Sequence, residues 1–317
     1  MRILFIYKDY FGRRKLYGKY LEENGHKVIY LLKKHKRDKN SVTVDEIKKA
    51  KPDLVWFLNA HYVKYNPNAV EYLQDKKIPM TFYHGVPGRF PFTDWLDIWK
   101  KFTIVFPVLY ELHEYLLKNG VNSHYMPFGF HPNQYYKCIA SKKYNVSFAG
   151  TVDALVSPKK DNRCRYLNSI KNLNKVVAHS ISFKGKLHKN IIVKACKTHQ
   201  EQKQAYSQTK INLDLPFVSG GTSFYDNIYH LRNRFFEIPA TGNFMMSIRC
   251  PKFIELFPED TVGYYDDIES FREIVIKYLK DKKIRNKMAE KSYKLAHQKH
   301  TFKHRFKEMC KILKSEL

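Results

Sequence analysis

Leu231-Arg-Asn-Arg-Phe-Phe-Glu-Ile-Pro-Ala-Thr-Gly242-Asn-Phe-Met-Met-Ser247 sets one Arg/Glu pair on an otherwise apolar segment, and the rest of the chain can be read outward from it. Arg234 and Glu237 are three residues apart and so share a helical face, which leaves Phe235, Phe236, Ile238 and Ala240 to be buried. Gly242 is placed to stop the helix and release a short strand over residues 244–247. A guanidinium fork matches the oxygens of a diphosphate, and a carboxylate accepts hydrogen bonds from the vicinal hydroxyls of a ribose or sugar. The pair therefore fits a nucleotide-diphosphate sugar. An amphipathic helix carrying a surface ion pair is the other reading of the same residues.

Apolar runs bounded by turn residues alternate with helical stretches along the whole chain, the order expected of doubly wound α/β layers. Strands are predicted over residues 3–7, 27–32, 54–58, 80–83, 103–107 and 123–126, with a helix after the first strand that Gly25 terminates. Pro127-Phe-Gly-Phe-His-Pro132 is rich in breakers and marks a crossing segment. The polar stretch that runs from it to Lys143 reads as a linker. A second series opens at Tyr144, with strands predicted over 145–148, 175–178, 211–214, 244–247 and 262–265. The expected organisation is an α/β chain with a Rossmann-like domain over 1–140, a second over 141–299, and a helix over 300–317 that returns to the first. Open α/β sheets bind ligands at the carboxyl ends of their strands. The two domains are therefore expected to face each other across a ligand-holding cleft.

A chain of 317 residues, 44% hydrophobic and 15% aromatic, holds two packed domains and is not a disordered polymer. No apolar run approaches the ~20 residues needed to cross a bilayer, and Met1-Arg-Ile-Leu-Phe-Ile-Tyr7 reads as a first strand and not as a secretory signal. A cytoplasmic location is expected, extended by the basic character to the inner face of the membrane. Cys138, Cys164, Cys196, Cys250 and Cys310 lack metal-type spacing and read as reduced structural thiols. The absence of G-x-G-x-x-G and P-loop sequences argues against a nicotinamide dehydrogenase or an ATPase. No Asp-x-Asp and no metal-spaced cluster occurs, so no metal is expected. Positive side chains and helix ends are expected to take its place.

The formal net charge of +27 names a class of partner, a polyanion. Lys33-Lys-His-Lys-Arg-Asp-Lys39 and the basic stretch over 282–314 suit an anionic membrane surface, at roughly 1 kcal/mol per basic residue. They equally suit nucleic-acid phosphates. A lysine-, tyrosine- and asparagine-rich composition produced by codon bias accounts for the same runs without a partner.

The segment from Ala205 to Arg305 resembles the carboxyl-terminal domain of two-domain, GT-B fold glycosyltransferases, of the group 1 type found in spore-maturation-like proteins. The resemblance is carried by Ala205-Tyr-Ser-Gln-Thr-Lys-Ile-Asn-Leu-Asp214, by Arg234-Phe-Phe-Glu-Ile-Pro-Ala-Thr-Gly242, by Thr261-Val-Gly-Tyr-Tyr-Asp-Asp267 and by His300-Thr-Phe-Lys-His-Arg305. It implies a metal-independent transferase that uses a nucleotide-diphosphate sugar, UDP-sugar above others, with no further cofactor. Retaining relatives carry two glutamates with seven residues between them; Glu237 takes the second place and Tyr229 stands in the first. The order Asp226-Asn227 followed by Arg234 and Glu237 is also similar to phage DNA glucosyltransferases. The resemblance leaves both stereochemical outcomes open.

Three further clusters complete the expected site. Gly150 and Thr151 end the first strand of the second domain, and Arg163 and Arg165 follow; a glycine lets backbone amides approach a phosphate and the arginines supply charge. The resembled enzymes hold the diphosphate at that place. Phe217-Val-Ser-Gly-Gly-Thr-Ser-Phe-Tyr-Asp226, with Gly221, reads as a flexible loop able to wrap the transferred sugar, with Lys210 on the strand beside it. His84, at the end of a first-domain strand, is the candidate general base, and Asp94 is the alternative base. In retaining relatives a histidine at the similar place contacts the donor sugar. The acceptor classes in view are a surface glycan or lipid-linked hydroxyl and a hydroxymethylated DNA base. A nucleic-acid-binding protein of this fold without turnover is the non-enzymatic reading.

Overall fold

The computed structural model describes residues 1–8, 15–33, 41–84, 95–152, 163–180, 186–216, 229 and 231–317, and of His84 only its backbone. Contacts divide the chain into two compact units, Met1–Pro127 with Phe302–Leu317, and Phe128–Thr301.

The first unit runs β1 (Arg2–Tyr7), α1 (Lys15–Glu23), β2 (Lys27–Leu32), α2 (Val44–Ala50), β3 (Leu54–Phe57), α3 (His61–Tyr65), α4 (Pro67–Asp75), β4 (Met80–His84), α5 (Leu96–Trp99), β5 (Ile104–Pro107) and α6 (Tyr110–Lys118). Its strands are all parallel, in the order β2-β1-β3-β4-β5. Strands β1, β3 and β5 read Ile-Leu-Phe-Ile, Leu-Val-Trp-Phe and Ile-Val-Phe because helices cover both faces of such a sheet, and Ile3, Phe5, Trp56 and Phe106 are fully buried. The chain's last helix, Phe302–Glu316, belongs to this unit and closes one face. Its Phe306 ring stacks on Trp56 at 5.6 Å and lies 5.3 Å from Tyr17 of α1.

Residues 123–126, predicted as a sixth strand, form only a bridge between Ser123 and Val105. Val105 N–H donates to Asn122 O, and the amides of His124 and Met126 donate to Val105 O and Pro107 O. The next rung needs an N–H from residue 107, and proline has none.

The second unit runs β6 (Tyr144–Ala149), α7 (Arg163–Ser169), β7 (Val176–Ser180), β8 (Ile192–Ala195), α8 (His199–Ser207), β9 (Thr209–Asp214), α9 (Arg234–Ala240), β10 (Met245–Ile248), α10 (Pro251–Leu256), β11 (Gly263–Tyr265), α11 (Ile268–Lys280) and α12 (Lys282–Lys299). The closing helix of the first unit is α13. The sheet is again parallel, in the order β11-β10-β9-β6-β7-β8. A buried Asn212 ties its middle together: its Oδ1 accepts from Ser147 Oγ at 3.1 Å and its Nδ2 donates to Tyr206 O and Phe244 O. Capping boxes at Thr198/Glu201 and Asp267/Ser270 start α8 and α11.

Strand β8 was not predicted. It is an edge strand exposed along its length, so its Ile-Val-Lys-Ala sequence carries no buried-face periodicity to read. No helix among the described residues is long and apolar enough to cross a membrane.

Candidate diphosphate site at the switch point of the second sheet

From β6 the chain moves to β7 and β8 on one side of the sheet and returns on the other with β9, β10 and β11. The order therefore reverses between β6 and β9, and in open α/β sheets the crevice beyond such a switch point is where ligands bind. Phe148 pairs with Leu213 across that junction, so the carboxyl ends of both strands arrive together. Residues from β6, β9 and α9 meet there.

Asp214, the last residue of β9, is fully buried. Its Oδ1 accepts a 2.6 Å hydrogen bond from Arg234 Nε, and its Oδ2 accepts from Ser247 Oγ of the neighbouring β10 at 3.3 Å. Arg234 opens α9, the helix that Gly242 ends at φ +70°. Its Nη1 donates to Ala149 O at 3.3 Å and its Nη2 to Leu215 O at 3.0 Å. The guanidinium also lies 4.7 Å from the centre of the Phe148 ring. Burial holds the Asp214 carboxyl above the ordinary aspartate range, against the opposing pull of Arg234 and Arg163.

Gly150 follows β6 with φ +155°, and a Cβ there would stand 2.7 Å from Arg234 Nη1 and 3.0 Å from Phe148 Cζ. Its amide donates to His179 O at 2.8 Å. The expected amide contact to a phosphate is thus replaced: the Gly150 N–H is used inside the sheet, and the missing side chain makes room for a guanidinium. Thr151 enters through its carbonyl, which accepts from Arg163 Nη1 at 2.8 Å.

Of the two arginines on α7, Arg163 is the inward one. Its Nε donates to Leu215 O at 3.1 Å, and its guanidinium lies 5.4 Å from the Phe148 ring centre. Arg165 is exposed to solvent. Arg163 and Arg234 thus share Leu215 O and the Phe148 ring, with Asp214 as their common counter-charge.

A third arginine, Arg232, was not among the expected site residues. Its Nε is sealed from solvent without a hydrogen-bond partner. Burial, and then the charge of Arg234, push its guanidinium down to about 10, with Asp214 opposing. Among the described residues, three cations thus gather round the Asp214 carboxylate, an excess of positive charge that an anion would neutralise. Both missed residues left a trace in the sequence. Asp214 is an acid closing a buried strand, and Arg232 stands two residues from Arg234.

Glu237 lies on α9 and is 2% exposed. The surface-ion-pair reading of Arg234 and Glu237 does not apply, because both are buried and the partner of Arg234 is Asp214. Lys210 is at the opposite end of β9, four residues before Asp214, or about 13 Å away at ~3.3 Å per residue. It is not part of this cluster. His84 is the last residue of β4 in the first unit, paired with Pro107. Asp94 and Gly221 lie outside the described residues, as does most of the Lys33–Lys39 run. Among the described residues, no group of three or more His, Cys, Asp or Glu is arranged to hold a metal.

Residues 163–311 match the family model described as glycosyl transferase-like. The structure is similar over 99% of the chain to a glycosyltransferase from Rickettsia africae (12% identity, 98% of that chain, TM-score 0.68). It is likewise similar to Anabaena HepE in complex with UDP-glucose, at 11% identity over 99% of both chains with a TM-score of 0.68. A third match is an alpha-glucosyltransferase in complex with UDP and a 13-mer DNA containing a HMU base, at 14% identity over 99% of both chains with a TM-score of 0.65. No curated protein matches the sequence. The protein is thus an α/β chain with the GT-B glycosyltransferase fold. The span that matches the glycosyl transferase-like model, residues 163–311, contains the arginine cluster.

Proposed function

We propose that the protein transfers a sugar from a nucleotide diphosphate, UDP above others, to an acceptor hydroxyl without a metal ion. The observation that carries this reading is the excess of guanidinium groups at the switch point, where, among the described residues, Arg163, Arg232 and Arg234 gather round the buried Asp214 carboxylate. Charge builds up on the leaving diphosphate as the glycosidic bond breaks, and donors already in place stabilise that charge without reorganising. Asp214 keeps Arg234 from turning away between turnovers. Glu237 is assigned to the hydroxyls of the ribose or the sugar, and the loop containing Gly221 to wrapping the sugar. His84 is assigned the general base of an inverting reaction, with Asp94 as the alternative; in a retaining reaction His84 orients the sugar.

The preferred acceptor is a hydroxyl of a surface glycan or a lipid-linked precursor, reached by a cytoplasmic enzyme resting on the inner face of the membrane. The net charge of +27 supports an anionic surface near the enzyme. Two observations favour a second reading, transfer to hydroxymethylated bases of DNA: the same charge, and likeness to a structure that contains DNA with a HMU base. A protein of this fold that binds nucleic acid without turnover is the non-enzymatic alternative.

Purified protein supplied with UDP-glucose or other nucleotide sugars is expected to release free UDP or GDP, and the Glu237→Ala variant to release far less. Thermal stabilisation across a panel of nucleotide sugars identifies the donor, since a ligand of the native state raises the melting temperature. If no nucleotide diphosphate is released with any donor and none raises the melting temperature, the enzymatic reading fails and the binding protein remains.

A further inference from the structure

The amino-terminal edge of the second sheet carries a cavity of about 390 Å³ far from the arginine cluster, built where the linker, the start of β9, the end of α9 and the first turns of α12 meet. Lys137, Lys142, Lys210, Lys282 and Arg285 line it, and Glu290 is the acidic residue among its walls. Glu290 is already engaged, its Oε2 accepting from Lys137 Nζ at 2.8 Å. Among the described residues, the other four cations have no carboxylate within ion-pair distance.

Two of them are set into the wall. Lys142 Nζ donates to Ser207 O at 2.8 Å and to Asn243 Oδ1 at 2.7 Å, which holds the ammonium in place with neutral partners. Arg285 is 7% exposed and spends Nη1 on the carbonyls of Tyr278 and Leu279 at the end of α11. Burial, and then the nearby charge of Arg285, push the Lys142 ammonium down to about 8, so these two groups repel one another in the free protein. Lys210 and Lys282 add further positive charge at the rim. Phe244 and Ala289 supply an apolar part of the lining. Such a concavity, with cations fixed by neutral acceptors and an apolar patch beside them, has the make-up of a small-molecule anion site.

We infer that this cavity is a second anion site, distinct from the donor site, which takes a soluble small molecule bearing more than one phosphate. The fixed Lys142 and Arg285 would contact one phosphate, and Lys210 and Lys282 the next. The inference is independent of the transferase reading, because no residue is shared with the arginine cluster.

Cys138 provides the local readout. It lines the cavity and carries a free, partly exposed thiol. Iodoacetamide labelling of Cys138 is followed by peptide mass spectrometry with inorganic tripolyphosphate as the probe, at ionic strength held constant with potassium chloride. Protection is expected, with the labelling rate falling about tenfold at about ten times the dissociation constant. Saturating UDP should leave the protection intact, and Lys210→Gln/Lys282→Gln should weaken it while leaving thermal stabilisation by UDP unchanged. The inference is overturned if the wild-type thiol is not protected, if UDP abolishes the protection, or if the double variant is protected as well as the wild type.

Discussion

Replacing Asp214 with asparagine removes the carboxylate around which the arginine cluster is built while keeping nearly the same shape. Asp214 is fully buried and Arg234 is 8% exposed, with 2.6 Å between Oδ1 and Nε. Screening by water is therefore slight. Removing one partner of such a pair leaves a buried charge uncompensated, which costs about 3–5 kcal/mol. Here the cost falls on Arg234 first and then on Arg163 and Arg232, whose charges also act on the same carboxylate or its partner. At about 2–4 °C per kcal/mol for a unit of this size, the melting temperature should fall by about 6–20 °C. The assay is urea or thermal unfolding of the wild type, Asp214→Asn, Arg234→Met and the double variant. The double variant should be less destabilised than the sum of the single changes, with a coupling of about 1–3 kcal/mol. UDP should stabilise Asp214→Asn by more than it stabilises the wild type, since a diphosphate then supplies the missing negative charge. A loss under about 1 kcal/mol in Asp214→Asn, or strict additivity in the cycle, would refute the claim that this carboxylate organises the site.

Three other predictions test neighbouring parts of the argument. Burial, and then the charge of Lys194, push the His179 imidazole from its ordinary 6.5 down to about 4. The unfolded chain therefore takes up the proton more readily than the native one, and the associated stability is complete above about pH 6.5 and lost as the pH falls toward 4, up to about 3 kcal/mol. Urea unfolding at several pH values should show this acid limb, and His179→Leu should flatten it. Gly150→Ala puts a methyl against Arg234 Nη1 at a strained φ; a loss of about 1–3 kcal/mol and weaker UDP binding by calorimetry are expected, and unchanged UDP affinity would count against the role given to Arg234. Arg163→Lys should weaken UDP binding about tenfold, or about 1.4 kcal/mol, whereas Arg165→Lys, on the exposed side of α7, should leave it unchanged; equal effects would refute the inward assignment of Arg163.

What the sequence determined by itself was local. Apolar runs of strand length, helix stops such as Gly242 and the Arg/Glu spacing on α9 are each encoded within a few residues, so the alternation of elements and the α/β class follow from periodicity. The same signal lapsed where the physics was not local. An exposed edge strand such as β8 has no buried face to leave a pattern, and Pro107 cut short the strand expected after α6 by withholding one N–H. The site shows the same division. The basic residues and the glycine at its mouth were legible, but not their partners. Arg234 finds Asp214 twenty residues upstream and Ala149 eighty-five residues upstream only because the sheet places β9 beside β6. That adjacency also turned Gly150 from a phosphate-binding turn into the space an arginine occupies, and it put Lys210 at the far end of its strand. Strand order is a long-range property, set by crossovers and by burial of both faces. For that reason only the tertiary structure could decide which charges meet.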